Sequence, residues 1–149
     1  RIEQVFYMLA EDKKKKHLVK VLESSFKPPI IIFVNQKMGA DMLAKGLSRL
    51  GFNPTVLHEG QAQDVREDAL YALKAGTADI LVATDEASRD VDITDVSLVL
   101  NYDMAKSIED YTRRIGRTDC ASKNGLAVTF VTPEDEEVFI DLKTVLTES

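Results

Sequence analysis

A chain of 149 residues with 44% hydrophobic and 30% charged side chains has the make-up of one soluble globular domain, able to bury about two-thirds of its unfolded surface. Its net charge of −6 excludes a generically basic nucleic-acid coat, because non-specific affinity comes from Lys and Arg neutralising phosphates. Cys120 has no second Cys to pair with, one Cys and two His (His17, His58) are too few for a structural zinc site, and no apolar run approaches the ~20 residues that cross a bilayer; a reducing compartment, without secretion or membrane, is expected.

In chain order, Ile2–Leu9 alternates as a strand. Asp12–Ser25 reads as a helix with Leu18, Val21 and Leu22 on one face, and Lys13–Lys16 as a solvated part of it. Pro28-Pro29 ends that segment, and Ile30–Val34 is a buried strand. Met38–Leu50 places Met42, Leu43, Leu47 and Leu50 at helical spacing before Gly51. Thr55–Leu57 is a short strand, Gln63–Lys74 a helix stopped near Gly76, and Ile80–Ala83 and Ser97–Tyr102 are strands. Ser107–Arg114 is helical and Leu126–Val131 a strand. Thr132 then caps a last helix to about Val145, with Pro133 in its first turn and Glu134–Glu137 as a solvated acidic face. Apolar runs alternating with helices over the whole length predict an open, mostly parallel sheet with helices on both faces. Ligands of such sheets bind beyond the carboxyl ends of the strands.

Polar residues follow each strand: Asn35-Gln36-Lys37, His58-Glu59-Gly60 with Gln63 and Arg66, Thr84 to Asp92, and Asn101-Tyr102-Asp103. Arg113-Arg114-Ile115-Gly116-Arg117-Thr118 follows the next helix. A phosphate loop is missing, since Gly46 and Gly51 have its glycine spacing but precede Phe52-Asn53, and no G-x-G exists for dinucleotides. Nucleotide chemistry here would therefore need a second half-site, to which an arginine reaching a transferring γ-phosphoryl group is the natural contribution, worth ~10³–10⁵ in rate.

These segments resemble, from end to end, the C-terminal RecA-like lobe of DEAD-box ATP-dependent RNA helicases. The resemblance rests on Ile31–Val34, His58 with Gln63-x-x-Arg66, Ile80–Asp85, Asp92-Ile93, Val99–Asp103 and Arg114–Thr118. Segments 28–37 and 101–106 look most like the spliceosomal branch acting at the five-prime splice site. The resemblance implies a RecA-like, three-layer α/β/α fold as one domain over residues 1–149. It implies a companion N-terminal lobe that carries the phosphate loop and the Asp-Glu-Ala-Asp motif. ATP with Mg2+ would be bound mainly by that lobe and not tightly by this chain alone. Arg117 matches the family's arginine finger and Arg114 opens the same catalytic run. Asp92 matches the residue taking the ribose hydroxyls, and Asp85 a residue of the interlobe network. Gln63, Arg66 and Thr84 match positions on the RNA sugar-phosphate backbone, with His58 and Gly60 on the RNA side. Such contacts position without reading sequence. The implied partners are the N-terminal lobe, RNA held weakly, and spliceosomal proteins. The implied location is the nucleus, or the cytoplasm if splicing is not the process.

Each position has a plainer alternative. Arg117 would be a surface ion-pair residue, Asp92 a turn cap, Gln63 and Arg66 an exposed pair, Thr84 a strand terminator and His58 a packing histidine. Departures from the family pattern gather at the functional surface. Glycines of motif V are Ser88 and Asp90, an apolar residue is Glu86, His-Gly-Gly is His58-Glu59-Gly60, and the end of motif VI is Asp119-Cys120. Side chains replace glycines where backbone would approach phosphate, and from Asp85 to Asp95 five acids face one base, Arg89. Two functions follow: half of an RNA-dependent ATPase and helicase with catalysis impaired, or a helicase-like scaffold or docking module in a ribonucleoprotein. Both expect the Arg117 guanidinium to point into an interlobe gap, on the sheet edge that carries loop 84–92.

Overall fold

The computed structural model describes residues 2–24, 26–118 and 125–148. Six strands form one all-parallel sheet in the order β1-β6-β5-β2-β4-β3. The strands are β1 (Ile2–Met8), β2 (Ile30–Phe33), β3 (Pro54–Leu57), β4 (Ile80–Ala83), β5 (Leu98–Asn101) and β6 (Gly125–Val131). The helices are α1 (Lys14–Leu22), α2 (Lys37–Arg49), α3 (Gln63–Ala75), α4 (Asp85–Ser88), α5 (Ile108–Ile115) and α6 (Glu136–Glu148). Short 3₁₀ turns at Glu11–Lys13 and Pro133–Asp135 lead into α1 and α6.

The central strands are apolar except for Asn101 because both of their faces are covered, and every residue of β2, β4 and β5 is buried. Alternation along each strand then sorts side chains between two cores. Ile30, Ile32, Val82, Leu100, Val128 and Phe130 pack under α1 and α2 through Leu18, Leu22, Leu43 and Leu47. On the opposite face, Ile31, Phe33, Leu81 and Val99 meet Leu73 of α3 and Ala87 of α4. That face continues over Ala127 and Val131 beneath Tyr111, Ile115 and Leu142 of α5 and α6. The three-layer α/β/α architecture is thus present.

Three local expectations change. Met42 and Leu50, expected to share the buried stripe of α2, are 70% and 54% exposed, because Ala40, Leu43, Ala44 and Leu47 already fill the helix face that meets the sheet. Lys14 is 2% exposed, unlike the solvated Lys13, Lys15 and Lys16. Its ammonium bonds Asp103 at 2.9 Å and Glu11 at 3.0 Å, which is how a lysine tolerates burial. The segment after β4, expected to be a strand-end loop, begins with the helical turn α4.

The sheet order places β4 and β5 on opposite sides of β2. Of the adjacent strands β2 and β5, the chain leaves β2 through α2 toward β3 and leaves β5 through α5 toward β6, on opposite faces and in opposite directions; this opens a crevice at the carboxyl ends, where open α/β sheets take ligands.

Candidate functional site at the carboxyl ends of the strands

The site is organised by one buried arginine. Ser107 caps α5 by accepting the Asp110 backbone N–H at 3.1 Å. Two turns on, α5 delivers Arg114, 1% exposed, to the strand ends. Its guanidinium forms a fork with both Asp85 carboxylate oxygens, Nε to Oδ1 at 2.8 Å and Nη2 to Oδ2 at 2.7 Å. The remaining donors reach the Asn35 side-chain oxygen at 2.6 Å, the Asn101 side-chain oxygen at 3.3 Å and the Asp103 carbonyl at 2.7 Å. The Phe33 ring lies 5.1 Å below. Five N–H groups thus make five bonds to residues that follow or end β2, β4 and β5, and no donor of Arg114 is left for a ligand.

Asp103 extends this network. One carboxylate oxygen accepts from Lys14 at 2.9 Å and the other from the Asn35 backbone N–H at 2.9 Å. Helix α1 is thereby tied to the ends of the central strands. Lys14, Asn35, Asn101 and Asp103 were not singled out as site residues. For Asn35, Asn101 and Asp103 the signal is a polar residue at the end of an apolar run, which reads equally well as a loop; Lys14, inside a run of four lysines, has none.

Arg117 sits on the expected edge, beside loop 84–92, but its guanidinium turns inward. It donates to the carbonyls of Ser88 and Val91 and, at 3.4 Å, of Ile93. The residue is 9% exposed. The expectation of a side chain pointing into open space is therefore corrected: loop carbonyls in one tight turn form a better-matched acceptor set than water. Burial lowers the Arg117 pKa from its ordinary value and the Asp92 charge opposes that; an arginine stays cationic in either case. Asp92 itself is exposed.

On the far side of β4, Thr84 is 3% exposed and donates its hydroxyl to the Glu59 carboxylate at 2.8 Å. Burial would raise the Glu59 pKa. Hydrogen bonds from its own backbone N–H and from Thr84, together with the Lys37 charge, instead hold it below the ordinary carboxylate value. Glu59 thus occupies the one hydroxyl expected to meet RNA. His58 is 7% exposed, and its Nδ1 accepts the Gly60 backbone N–H at 3.0 Å. That bond requires an unprotonated Nδ1, so Nε2 bears the proton and donates to Asp41 at 3.1 Å. A Cβ at Gly60 would lie 3.1 Å from both the His58 ring and the Lys37 stem, so the bare backbone keeps this turn closed. Gln63 is exposed and bonds Glu67 at 3.3 Å, and Arg66 turns back to the Gln61 carbonyl at 3.4 Å.

The structure therefore brings Asp85, Asp92, Arg114 and Arg117 to the strand-end crevice, while the Thr84 side chain turns to Glu59 on the flank beyond β4. His58, Gly60, Gln63 and Arg66 form a flank on β3 and α3. Asp119 and Cys120 lie outside the described residues. Among the described residues no three His, Cys, Asp or Glu side chains converge to hold a metal ion, and no helix is long and apolar enough to cross a membrane.

Residues 13–122 match the helicase conserved C-terminal domain. The chain is 57% identical over its full length to the probable ATP-dependent RNA helicase DDX23 of Homo sapiens, covering 18% of that protein. It is 52% identical to the pre-mRNA-splicing ATP-dependent RNA helicase prp28 of Schizosaccharomyces pombe, covering 23% of it. It thus spans about a fifth of the length of these relatives. The crystal structure of the RNA helicase Prp28 from Chaetomium thermophilum bound to ADP superposes with a TM-score of 0.90 at 48% identity, over 99% of this chain and 37% of that one. The chain belongs to the helicase conserved C-terminal domain family.

Proposed function

We propose that this domain is the C-terminal lobe of an ATP-dependent RNA helicase working in pre-mRNA splicing, and hence in the nucleus. It would complete a nucleotide and RNA site shared with an N-terminal lobe. The observation that carries the reading is the placement of Asp85, Asp92, Arg114 and Arg117 at one strand-end crevice, in a chain without a phosphate loop.

Arg114, with all donors committed, is a positioning residue that fixes the ends of β2, β4 and β5. Arg117 holds loop 88–93 closed through three carbonyls. Exchanging those carbonyls for a γ-phosphoryl group turns the same guanidinium into a finger, and the exchange links loop position to nucleotide. Asp92 is exposed and free to accept two vicinal hydroxyls. The donor set fits an ATP held elsewhere: a cation and a carboxylate at the crevice, no phosphate loop in the sequence and, among the described residues, no cluster of three side chains able to hold a metal ion. ATP with Mg2+, when bound across the two lobes, supplies the transferable phosphoryl group. Thr84, Gly60, His58, Gln63 and Arg66 would line the RNA backbone side.

A second reading, a catalytically inactive helicase-like scaffold or docking module, is favoured by one contact: the Glu59 carboxylate sits on the Thr84 hydroxyl. One experiment separates the two. The lobe, joined to its N-terminal partner lobe, is assayed for ATP hydrolysis with saturating single-stranded RNA. Stimulation of at least tenfold by RNA supports the helicase, and an RNA-independent baseline supports the docking module.

A further inference from the structure

Charge is distributed unevenly over this molecule. Between residues 12 and 50, nine Lys and Arg face three acids, whereas the rest of the chain has ten against twenty-two. Helices α1 and α2 therefore present a basic face on an acidic protein. That face also exposes large apolar side chains: Met38 and Met42 at 70% each and Leu50 at 54%.

Two grooves meet there. One, of about 640 Å³, has Val19 and Leu50 in its wall, with Lys16 and Lys20 at its rim. The other, of about 250 Å³, lies between Met42, Leu43 and Tyr102. Lys15 borders both, and its ammonium rests over Gly46, where a Cβ would lie 2.8 Å from Nζ. The lysine stems thus form apolar walls while their charges stand at the edges. Among the described residues, Lys15, Lys16 and Lys20 form no salt bridge. Exposed methionines adapt to varied apolar partners.

We propose that the α1–α2 face is a docking surface for an acidic peptide segment carrying apolar anchor residues. Charge complementarity selects the occupant. Carboxylates meet Lys15, Lys16 and Lys20, while aliphatic or aromatic side chains enter the two grooves. A nucleic acid suits the face less well. Its floor is apolar, Asp12 and Glu23 stand on its rim, and its aromatic ring, Tyr102, is half-buried and unable to stack on a base. The surface lies on the other sheet face from α3, α5 and α6. A bound segment would therefore leave the strand-end crevice open.

The test uses the 149-residue chain, labelled with 15N. The probe is a synthetic peptide of about 15 residues, rich in Glu, with Leu and Phe at i, i+4 spacing. A second peptide has every Glu replaced by Lys. The acidic peptide is expected to shift amide signals of α1, α2 and Tyr102, with a Kd of about 10–100 µM. Leu50→Asp, Met42→Asp and the double change Lys16→Glu with Lys20→Glu should each weaken binding at least tenfold, and the Lys peptide should not bind. The apolar positions are exposed, so Met42→Asp serves where Leu50→Asp misfolds. No binding by ~1 mM, shifts elsewhere, or indifference to these substitutions would overturn the proposal. So would oligouridine binding the face more tightly than the peptide, or self-association of the chain through it.

Discussion

At the scale of single residues, burial decides which charges matter. Arg114 is enclosed and its fork on Asp85 is bidentate, so Arg114→Ala leaves an uncompensated carboxylate beside three strand ends. A loss of about 3–5 kcal/mol is expected from such a cut, measured as a shift in urea midpoint. Arg114→Lys should recover little, because an ammonium cannot span five acceptors held in a plane. Glu59 offers the opposite case, a carboxylate whose removal should add function. Glu59→Gly frees the Thr84 hydroxyl and removes a negative charge from the flank expected to face RNA. Single-stranded RNA affinity at low salt should rise several-fold by fluorescence anisotropy, and the gain should vanish in Glu59→Gly combined with Thr84→Val. The native bond has a pH signature too. The folded-state pKa of Glu59 lies below its ordinary 4.5, so its stabilising share is complete above that value and is lost as pH falls through the folded value. Thermal unfolding below about pH 4.5 should therefore be less pH-dependent in Glu59→Gln than in the parent.

At the scale of elements, boundaries follow local chemistry that the sequence states openly. Helix α3 ends at Gly76, whose φ of +82° is left-handed. A Cβ there meets nothing within 4 Å, so Gly76→Ala should cost about 1 kcal/mol through backbone strain alone, read as a lower melting temperature. The entry to α6 depends on a reciprocal cap in which the Asp135 carboxylate accepts the Thr132 N–H at 2.8 Å and its hydroxyl at 3.0 Å. Thr132→Ala should lose about 1 kcal/mol in the same assay. Helix α2 was less legible. Met42 and Leu50 obey helical spacing with Leu43 and Leu47, yet only the latter two face the sheet. Spacing defines a stripe without fixing its width, and small residues Ala40 and Ala44 completed the buried face in their place. Helix α4 is four residues long and too short for any periodic signal.

For the whole molecule, the sequence holds no phosphate loop, so under the proposed function tight nucleotide binding requires a companion lobe. The isolated chain should bind neither ATP nor single-stranded RNA with sub-micromolar affinity at physiological salt, measured by titration. Joined to its N-terminal lobe, it should hydrolyse ATP slowly, and restoring Gly at Asp119 and Arg at Cys120 should raise the rate at least tenfold. No change would mean that the second arginine of that run does not limit turnover. Strand–helix alternation, the parallel sheet and the polar strand ends were legible from residue order alone. Apolar runs buried on both faces and glycine or proline boundaries are local physics, written in neighbouring residues. Long-range partners are not local. Lys14 looked like the solvated Lys13 and Lys15 until the fold brought Asp103, 89 positions away, to its ammonium. Arg117 looked like an outstretched finger until loop 88–93 supplied its acceptors, and Glu59 like a stray charge until Thr84 arrived beneath it. Sequence determined where the elements lie and which edge holds the polar groups. Tertiary structure alone decided which of those groups are already satisfied, because a hydrogen bond across the sheet depends on strand order, which no short window of residues encodes.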